Sequence, residues 1–375
     1  MSWTLTAADL PDLARGATLL GTGGGGDPYI GRLLVASALG NGGGITMLDP
    51  DDPDDVADDA LVIPTAMMGA PTIMLEKISH GREPILALRT LEDRLGEKAQ
   101  ATMPIECGGI NSMMPLFTAA MAGLPCVDAD GMGRAFPELQ METFYVYGVS
   151  SCPMSIAASD GSTIVIDTGM DAHQMEWISR GVTIRLGGAS HIADYPMRGS
   201  EVKRTAIPRT ISLGLRLGRC IRVAREQHRN PFEALRQELR ETLYTYGVEL
   251  FRGKVADVAR RTEGGFVRGD VTLRGFDNDD VCEISFQNEN LICRVNGTTR
   301  ALVPDLISVL DVDTGEPITT EGLKFGQRVV VFAISTPASM RSPQALEIFG
   351  PQAFGLTEEF IPVEQRNPDT IPSPA

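Results

Sequence analysis

Three carboxylates, Glu106, Asp128 and Asp130, each follow a short apolar run that reads as a β-strand. They lie in Pro104-Ile105-Glu106-Cys107-Gly108-Gly109-Ile110-Asn111 and in Val127-Asp128-Ala129-Asp130-Gly131-Met132-Gly133-Arg134-Ala135-Phe136-Pro137-Glu138. In an open parallel sheet, ligands sit outside the carboxyl ends of the strands, where loops meet helix N-termini. The three acids are therefore expected in one crevice as catalytic groups. Carboxylates held together repel, so at least one should ionise late, which suits a general acid or base. Gly108 and Gly109 leave the backbone open to a ligand. Asn111 and the amides of residues 107–109 are candidates to stabilise developing charge, and Arg134 is a fork donor for a substrate carboxylate. The alternative is structural: Asp128 and Asp130 cap a helix or turn, and Arg134 pairs with Glu138 at i, i+4. Cys107 reads as a thiolate nucleophile or as a small buried apolar residue. Its neighbour Glu106 would raise the thiol pKa, which favours the second.

A second candidate is the run Gly21-Thr22-Gly23-Gly24-Gly25-Gly26-Asp27. By letter it satisfies G-x-G-x-x-G, with Asp49 lying 23 residues past Gly26. The dinucleotide fingerprint needs a strand before the glycines, whereas residues 7–20 read as a helix. No Gly-Lys-Ser/Thr follows, so a Walker loop is excluded. A ligand-facing loop, a structural turn and a nucleotide site all stay open here. Gly23, Gly24, Gly25 and Asp27 are the substrate-binding candidates, with Asp27 also placed to cap a helix starting at Pro28. The four histidines form no H-x-H, HExxH or HxxEH, and no G-x-S-x-G occurs. No metal ligand is assigned.

The elements that must position these residues follow a strand–helix alternation. Strands are read at 45–48, 61–65, 102–105 and 126–127, with helices at 28–39, 83–95 and 112–122. That order argues for a parallel sheet with crossover helices. Residues 144–147 and 155–167 are read as strand-like, the latter a hairpin turning at Asp160-Gly161. Helices are read at 205–227 and 231–242, the first carrying arginines that are expected to pair with the acidic remainder. Beyond residue 251, short β-rich runs at 254–258, 266–273, 281–286, 291–295, 307–311 and 328–334 alternate with turns. The fold class is α/β: an N-terminal mixed or parallel sheet with flanking helices, over residues 1–170. A barrel- or sandwich-like C-terminal domain over 171–375 ends in a tail from 362.

Composition narrows the function classes. The chain has 375 residues and a formal net charge of −16. Such a field repels nucleic acid and anionic membrane, so neither is an expected partner. The seven aspartates at positions 49–59 read as a solvated loop. The six cysteines are dispersed without a CxxC pair, and no signal peptide or bilayer-length apolar run is read. A cytoplasmic location with reduced thiols is expected.

The chain resembles a recognisable family, named for S-methyl thiohydantoin desulfurase. The resemblance is carried by Leu20-Gly21-Thr22-Gly23-Gly24-Gly25-Gly26-Asp27-Pro28, Met68-Gly69-Ala70-Pro71 with Glu76-Lys77, Glu106–Asn111 and residues 128–138. It continues in Phe286-Gln287-Asn288-Glu289-Asn290-Leu291, Val303-Pro304-Asp305-Leu306-Ile307 and Gly350-Pro351-Gln352-Ala353-Phe354-Gly355. It implies an α/β domain followed by a β-rich one, and hydrolysis of an S-alkylated thiohydantoin to a hydantoin and a thiol. It also implies association with hydantoinase or oxoprolinase proteins. The expectation is a hydrolase of a cyclic amide-like ring, acting through carboxylate-activated water on a small-molecule substrate, as a homo-oligomer. No cofactor is required, since a thiolate leaves readily, though a carboxylate-bound divalent metal is a second option. The rival readings are a nucleotide- or phosphate-dependent enzyme using the glycine run, and a non-catalytic metabolite-binding partner of a hydantoinase.

Overall fold

The computed structural model describes residues 1–40, 42–69, 73, 81–276 and 278–368. Ala70-Pro71 and Glu76-Lys77 lie outside them.

The chain opens with β1 (Trp3–Thr6), then α1 (Leu10–Leu20), α2 (Pro28–Leu39), β2 (Gly44–Leu48) and β3 (Leu61–Gly69). Asp27 caps α2 by accepting the Tyr29 N–H, with Pro28 at its first position. The run continues with α3 (Glu83–Leu95), β4 (Ala101–Met103), α4 (Met114–Ala122), β5 (Cys126–Val127) and β6 (Ala129–Asp130). Next come α5 (Thr143–Val146), β7 (Met154–Ala157), β8 (Thr163–Ile166), α6 (Ala172–Arg185), β9 (Ala189–Ala193) and β10 (Met197–Arg198).

Apart from β6, which pairs with Ile207–Pro208, these strands make one sheet in the order β1-β2-β5-β4-β3-β9-β7-β8, with β10 also pairing with β3. The four strands β2, β5, β4 and β3 are mutually parallel, as the strand–helix alternation predicts. The remainder is antiparallel, so the sheet is mixed. The β7–β8 hairpin turns through Asp160-Gly161 as expected, with Gly161 at φ 88°. The strand expected at 144–147 is instead the short helix α5. Its Thr143 N–H and hydroxyl both bind the Gly131 carbonyl, which anchors the first turn and leaves Tyr147 N–H to close on Thr143. Local aromatic and β-branched propensity lost to that tertiary anchor.

The middle of the chain holds α7 (Gly199–Thr205), β11 (Ile207–Pro208), α8 (Thr210–Glu226) and α9 (Pro231–Leu239). Helix α8 crosses α1 with backbones nearly touching, because a Cβ on Gly16 would stand 1.7 Å from the Gly214 carbonyl oxygen. The α8 arginines do pair outward: Arg216 with Glu238, Arg219 with Asp9, Arg222 with Asp12 and Glu226, and Arg225 with Glu316. In the loop before α8, Arg209 binds Asp49 and Asp51 of the aspartate-rich segment.

The β-rich part comprises β12 (Gly247–Glu263), β13 (Phe266–Gly275), β14 (Val281–Gln287), β15 (Glu289–Val295), β16 (Thr298–Leu302), β17 (Leu306–Asp311), β18 (Pro317–Ile318) and β19 (Arg328–Ile334). The β-rich domain forms as expected, as a curled antiparallel sheet that does not close into a barrel. All eight strands belong to one open antiparallel sheet, in the order β16-β15-β14-β13-β12-β19-β17-β18. It curls so that β15 and β16 come beside β17 without pairing to it. Two final helices are α10 (Pro343–Phe349) and α11 (Val363–Arg366). The expected tail is therefore docked at its start, since the Val363 N–H donates to buried Asp305 at 2.7 Å; residues 369–375 lie outside those described.

Candidate active site

The two parts of the chain meet at the glycine run. Helix α1 ends at Leu20, so a helix and not a strand precedes the glycines. The run packs against the loop after β4 on one side and the start of β15 on the other. A Cβ on Gly109, which sits at φ +61°, would stand 2.1 Å from the Gly25 carbonyl oxygen. One on Gly24 would stand 2.2 Å from Glu289 Oε1. At Gly109 only glycine lets the two backbone segments approach so closely, while at Gly24 the close neighbour is the Glu289 side chain. A Cβ on Gly108 would stand 2.6 Å from the Gly21 Cα, while Gly23 faces Asn290 and Thr320. The Gly25 N–H donates to Glu289 Oε1 at 3.1 Å, so this amide already faces a carboxylate rather than an incoming phosphate. Asp27 is spent on its helix cap.

A narrow cleft opens where the β3 and β4 ends, the glycine run and β15 converge. Its free volume is about 60 Å³, measured for the centre of a water-sized sphere. That is several times the roughly 10–15 Å³ one water requires. Met67, Met68, Ile105, Met132, Phe136 and Ile192 form apolar walls; Gly25, Gly26, Glu106, Asn111, Asn288 and Glu289 supply polar lining. Arg180 stands at the same cleft, paired with Glu176 and stacked over the Phe266 ring at 4.6 Å. A wider surface hollow of about 890 Å³ lies between α3 and the β7–β8 turn, but no predicted site residue lines it.

Of the three acids chosen from sequence, only Glu106 lines the cleft. Its Oε1 accepts from Asn111 Nδ2 at 2.7 Å, while Oε2 is buried without a partner. Asn111 is held in turn by Met67, whose N–H donates to Oδ1 at 2.8 Å and whose carbonyl accepts from Nδ2 at 3.0 Å. Both Asn111 N–H groups are therefore committed, and the residue orients Glu106 instead of offering a free donor. Asp128 turns away. Its carboxylate accepts from Trp3 Nε1 and from the Ile211 and Ser212 N–H groups, which makes it the N-terminal cap of α8. Asp130 ties two loops together, with Oδ2 accepting from the Cys107, Met132 and Gly133 N–H groups at 2.8, 3.1 and 2.8 Å. The structural alternative weighed for these two aspartates describes their contacts.

Arg134 does not offer a fork to a ligand. Its five N–H donors serve the Ala135, Pro304, Asp305 and Asn290 carbonyls and the Thr22 hydroxyl. Nor does it pair with Glu138, whose carboxylate binds Gln140. Cys107 is buried among Leu19, Leu20, Leu213 and Tyr244, outside the cleft lining. Burial, and then the charges of Asp130 and Glu106, push its thiol well above the usual range.

Sequence reading missed the second buried acid of the cleft, which Glu138 also lines, half-buried. Glu289 opens β15, is buried, and has Oε2 without a partner. Burial raises it to about 8, against the pull of the Arg134 charge and the Gly25 N–H. Glu106 is also pushed well above the usual carboxylate range, first by burial and then by the negative charge of Glu289. The one available signal was the polar run Gln287-Asn288-Glu289-Asn290 inside a β-rich stretch, four residues that all prove buried. Among the described residues, no group of three or more His, Cys, Asp or Glu is arranged to hold a metal ion. No helix among them is long and apolar enough to cross a membrane.

Comparison with known proteins agrees with the fold. The crystal structure of a protein from Chromobacterium violaceum superposes with a TM-score of 0.81 at 25% identity, covering 96% of this chain and 100% of that one. No curated protein matches. The model of the S-Me-THD-like N-terminal domain matches residues 8–168, and that of the S-Me-THD-like C-terminal domain matches residues 170–363. With both domains matched along almost its whole length, this chain belongs to the S-Me-THD-like family.

Proposed function

We propose that the chain is a hydrolase of an S-alkylated thiohydantoin ring, working through Glu106 and Glu289 and not through Asp128 or Asp130. The observation that carries this reading is a pair of buried carboxyl groups, one from each half of the chain. They line one cleft, and each keeps an oxygen without a protein partner. Buried polar atoms are normally satisfied, so two such oxygens facing one cleft are a strong functional signal.

Two buried carboxylates that repel cannot both ionise near neutral pH, and once Glu289 ionises, at about 8, the pair holds one proton. Glu289, with the Arg134 charge and the Gly25 N–H beside it, is the better carboxylate; Glu106 is the better acid. Glu289 takes a proton from water, whose oxygen attacks the ring carbon bearing sulfur. Glu106 delivers its proton to the adjoining ring nitrogen of the C=N bond. The tetrahedral carbon then breaks its C–S bond. The thiolate takes the proton from Glu289, the new hydroxyl returns one to Glu106, and C=O forms. The products are a hydantoin and a thiol, with both acids restored. The Met67, Met68 and Met132 walls suit a methylthio group, because thioether side chains are polarisable and adaptable. A thiolate leaves without a Lewis acid, and base catalysis by a placed carboxylate supplies about 10²–10⁴-fold.

The test is incubation of purified protein with S-methyl thiohydantoins bearing different ring substituents, with methanethiol detected by a thiol reagent. Thiol release by wild type and its loss in both Glu106→Gln and Glu289→Gln supports the reading. Release that survives in both folded variants ends it.

A further inference from the structure

Arg134 heads the fully buried side chains in size. Its guanidinium is held by five hydrogen bonds, all to neutral acceptors on Thr22, Ala135, Asn290, Pro304 and Asp305. No carboxylate comes within ion-pairing distance of it among the described residues. A buried charge without an anion is costly, so it needs a reason. The negative charges that act most strongly on it are those of Glu289 and Asp305. Asp305 is already spent: it accepts from the Thr336 and Val363 N–H groups and pairs with Arg341. Glu289 is not, having only the Gly25 N–H. The geometry also couples the two directly. Arg134 Nη2 binds the carbonyl of Asn290, the residue after Glu289, at 3.1 Å. Its other bond from Nη2 reaches Thr22, whose carbonyl accepts the Asn290 N–H at 2.8 Å. The guanidinium also stacks 4.8 Å from the Phe136 ring, which lines the cleft.

We propose that Arg134 is the positioning residue for Glu289: it fixes the start of β15 against the glycine run and supplies the counter-charge for that carboxylate. The catalytic meaning of this rests on the reading of Glu289 as the base. The charged groups around Glu289 are Glu106 in the same cleft, Glu321 from the loop after β18, and Arg134 behind the wall. Glu138 and Arg180 line the cleft as well, and Arg180 is paired with Glu176. Arg134 is thus the one unpaired cation of the group.

The experiment needs no substrate. The carboxyl stretch of Glu289 is isolated by infrared difference between a protein and its Glu289→Gln counterpart, and followed through pH. In Arg134→Gln the ionisation midpoint should rise by at least about one pH unit, a tenfold gain in proton affinity. In Arg134→Lys it should stay within about half a unit, although the lost fork bonds reduce stability. Equal midpoints in wild type and a folded Arg134→Gln overturn the proposal, whatever happens to stability. If Arg134→Gln does not fold, the order of ionisation in the unsubstituted protein decides, assigned with the Glu106→Gln and Glu289→Gln differences. Glu289 must ionise before Glu106, because the counter-charge stands behind Glu289; the reverse order overturns the proposal. Wild type that releases no thiol yet shows the midpoint shift sinks the hydrolase reading alone. Thiol release with an unmoved midpoint sinks this inference alone.

Discussion

The acids at the ends of β5 and β6 and the acids of the cleft are equally buried, yet the protein treats them in opposite ways. Asp128 receives two backbone N–H groups and an indole, and Asp130 receives three backbone N–H groups, all on Oδ2, with Oδ1 left bare. Glu106 and Glu289 each receive one donor and keep one oxygen bare. A saturated carboxylate holds structure together, and moving a proton on it breaks several bonds at once. A half-satisfied one holds its place through one oxygen and leaves the other for chemistry. Neither burial nor a bare oxygen alone marks an active-site acid, since Asp130 Oδ1 and the carboxylates of Glu142 and Asp194 are bare too; Glu106 and Glu289 stand apart because their bare oxygens belong to residues that line the cleft.

The largest expected effect is on turnover. Glu289→Gln keeps the acceptor for Gly25 and removes the base, so thiol release should fall by about 10²–10⁴-fold. Its thermal stability at pH 8 should not fall, because the amide carries no buried charge. Glu106→Gln should fall comparably. A Glu289→Gln protein with turnover within threefold of wild type would erase the contrast between the two kinds of acid.

Asp128→Ala should show the opposite pattern. It strands the Ile211 and Ser212 N–H groups and the Trp3 indole N–H, and α8 loses its cap. The expected cost is about 3 kcal/mol, the scale for breaking buried charge-assisted bonds and a helix cap. Chemical denaturation at unchanged m-value reads this directly, and turnover per folded molecule should stay within about threefold. A stable Asp128→Ala with abolished turnover would return Asp128 to the chemistry.

Much of this was legible in the sequence, and the failures have identifiable causes. The parallel strands, their order along the chain and Glu106 at a strand end followed from periodicity and topology. The helix before the glycine run was legible too, and it argued against a dinucleotide fingerprint. Glu289 was not legible, because it stands 183 residues from Glu106 and only docking of the two halves brings it to the cleft. Arg134 was read as a fork for a substrate carboxylate, whereas its five donors bind acceptors of the protein itself. Three of the four carbonyls it binds lie 156 to 171 residues away, beyond the reach of local spacing. The glycines were read as exposing backbone to a ligand. Most of their openness is used by other backbone and by Glu289, leaving Gly25 and Gly26 at the cleft.

A smaller effect should appear in the pH dependence of stability. Glu289 ordinarily ionises near 4.5, and burial in the folded chain raises it to about 8. Between those values the folded state holds more protons than the unfolded state, so unfolding free energy falls as pH rises. The stability is fully present below about pH 4.5 and lost as pH climbs through 8. Asp194, raised by burial to about 8, adds to the same slope. Melting temperature should therefore decline from pH 5 to pH 8, and the decline should be shallower in Glu289→Gln. Parallel curves for the two proteins would show that Glu289 ionises normally and that the contrast with Asp128 is only geometric.

The smallest effect belongs to Cys107, and it separates the carboxylate mechanism from its nearest competitor. A thiol is reactive as its thiolate, and thiolates form beside positive charge or helix N-termini. Cys107 has the reverse surroundings: it is buried, with the negative charges of Asp130 and Glu106 acting on it. Its own N–H is bound to Asp130, so its backbone is fixed, while its side chain fills space beside Leu19, Leu20 and Leu213. Cys107→Ala should therefore cost about 1 kcal/mol of stability, the scale for deleting a small buried group, and leave turnover within about twofold. Alkylating reagents should leave the folded wild type active over the hours in which an exposed thiol reacts. A folded Cys107→Ala without turnover, or wild type inactivated by alkylation and protected by substrate, would move the chemistry from the carboxylate pair to the thiol.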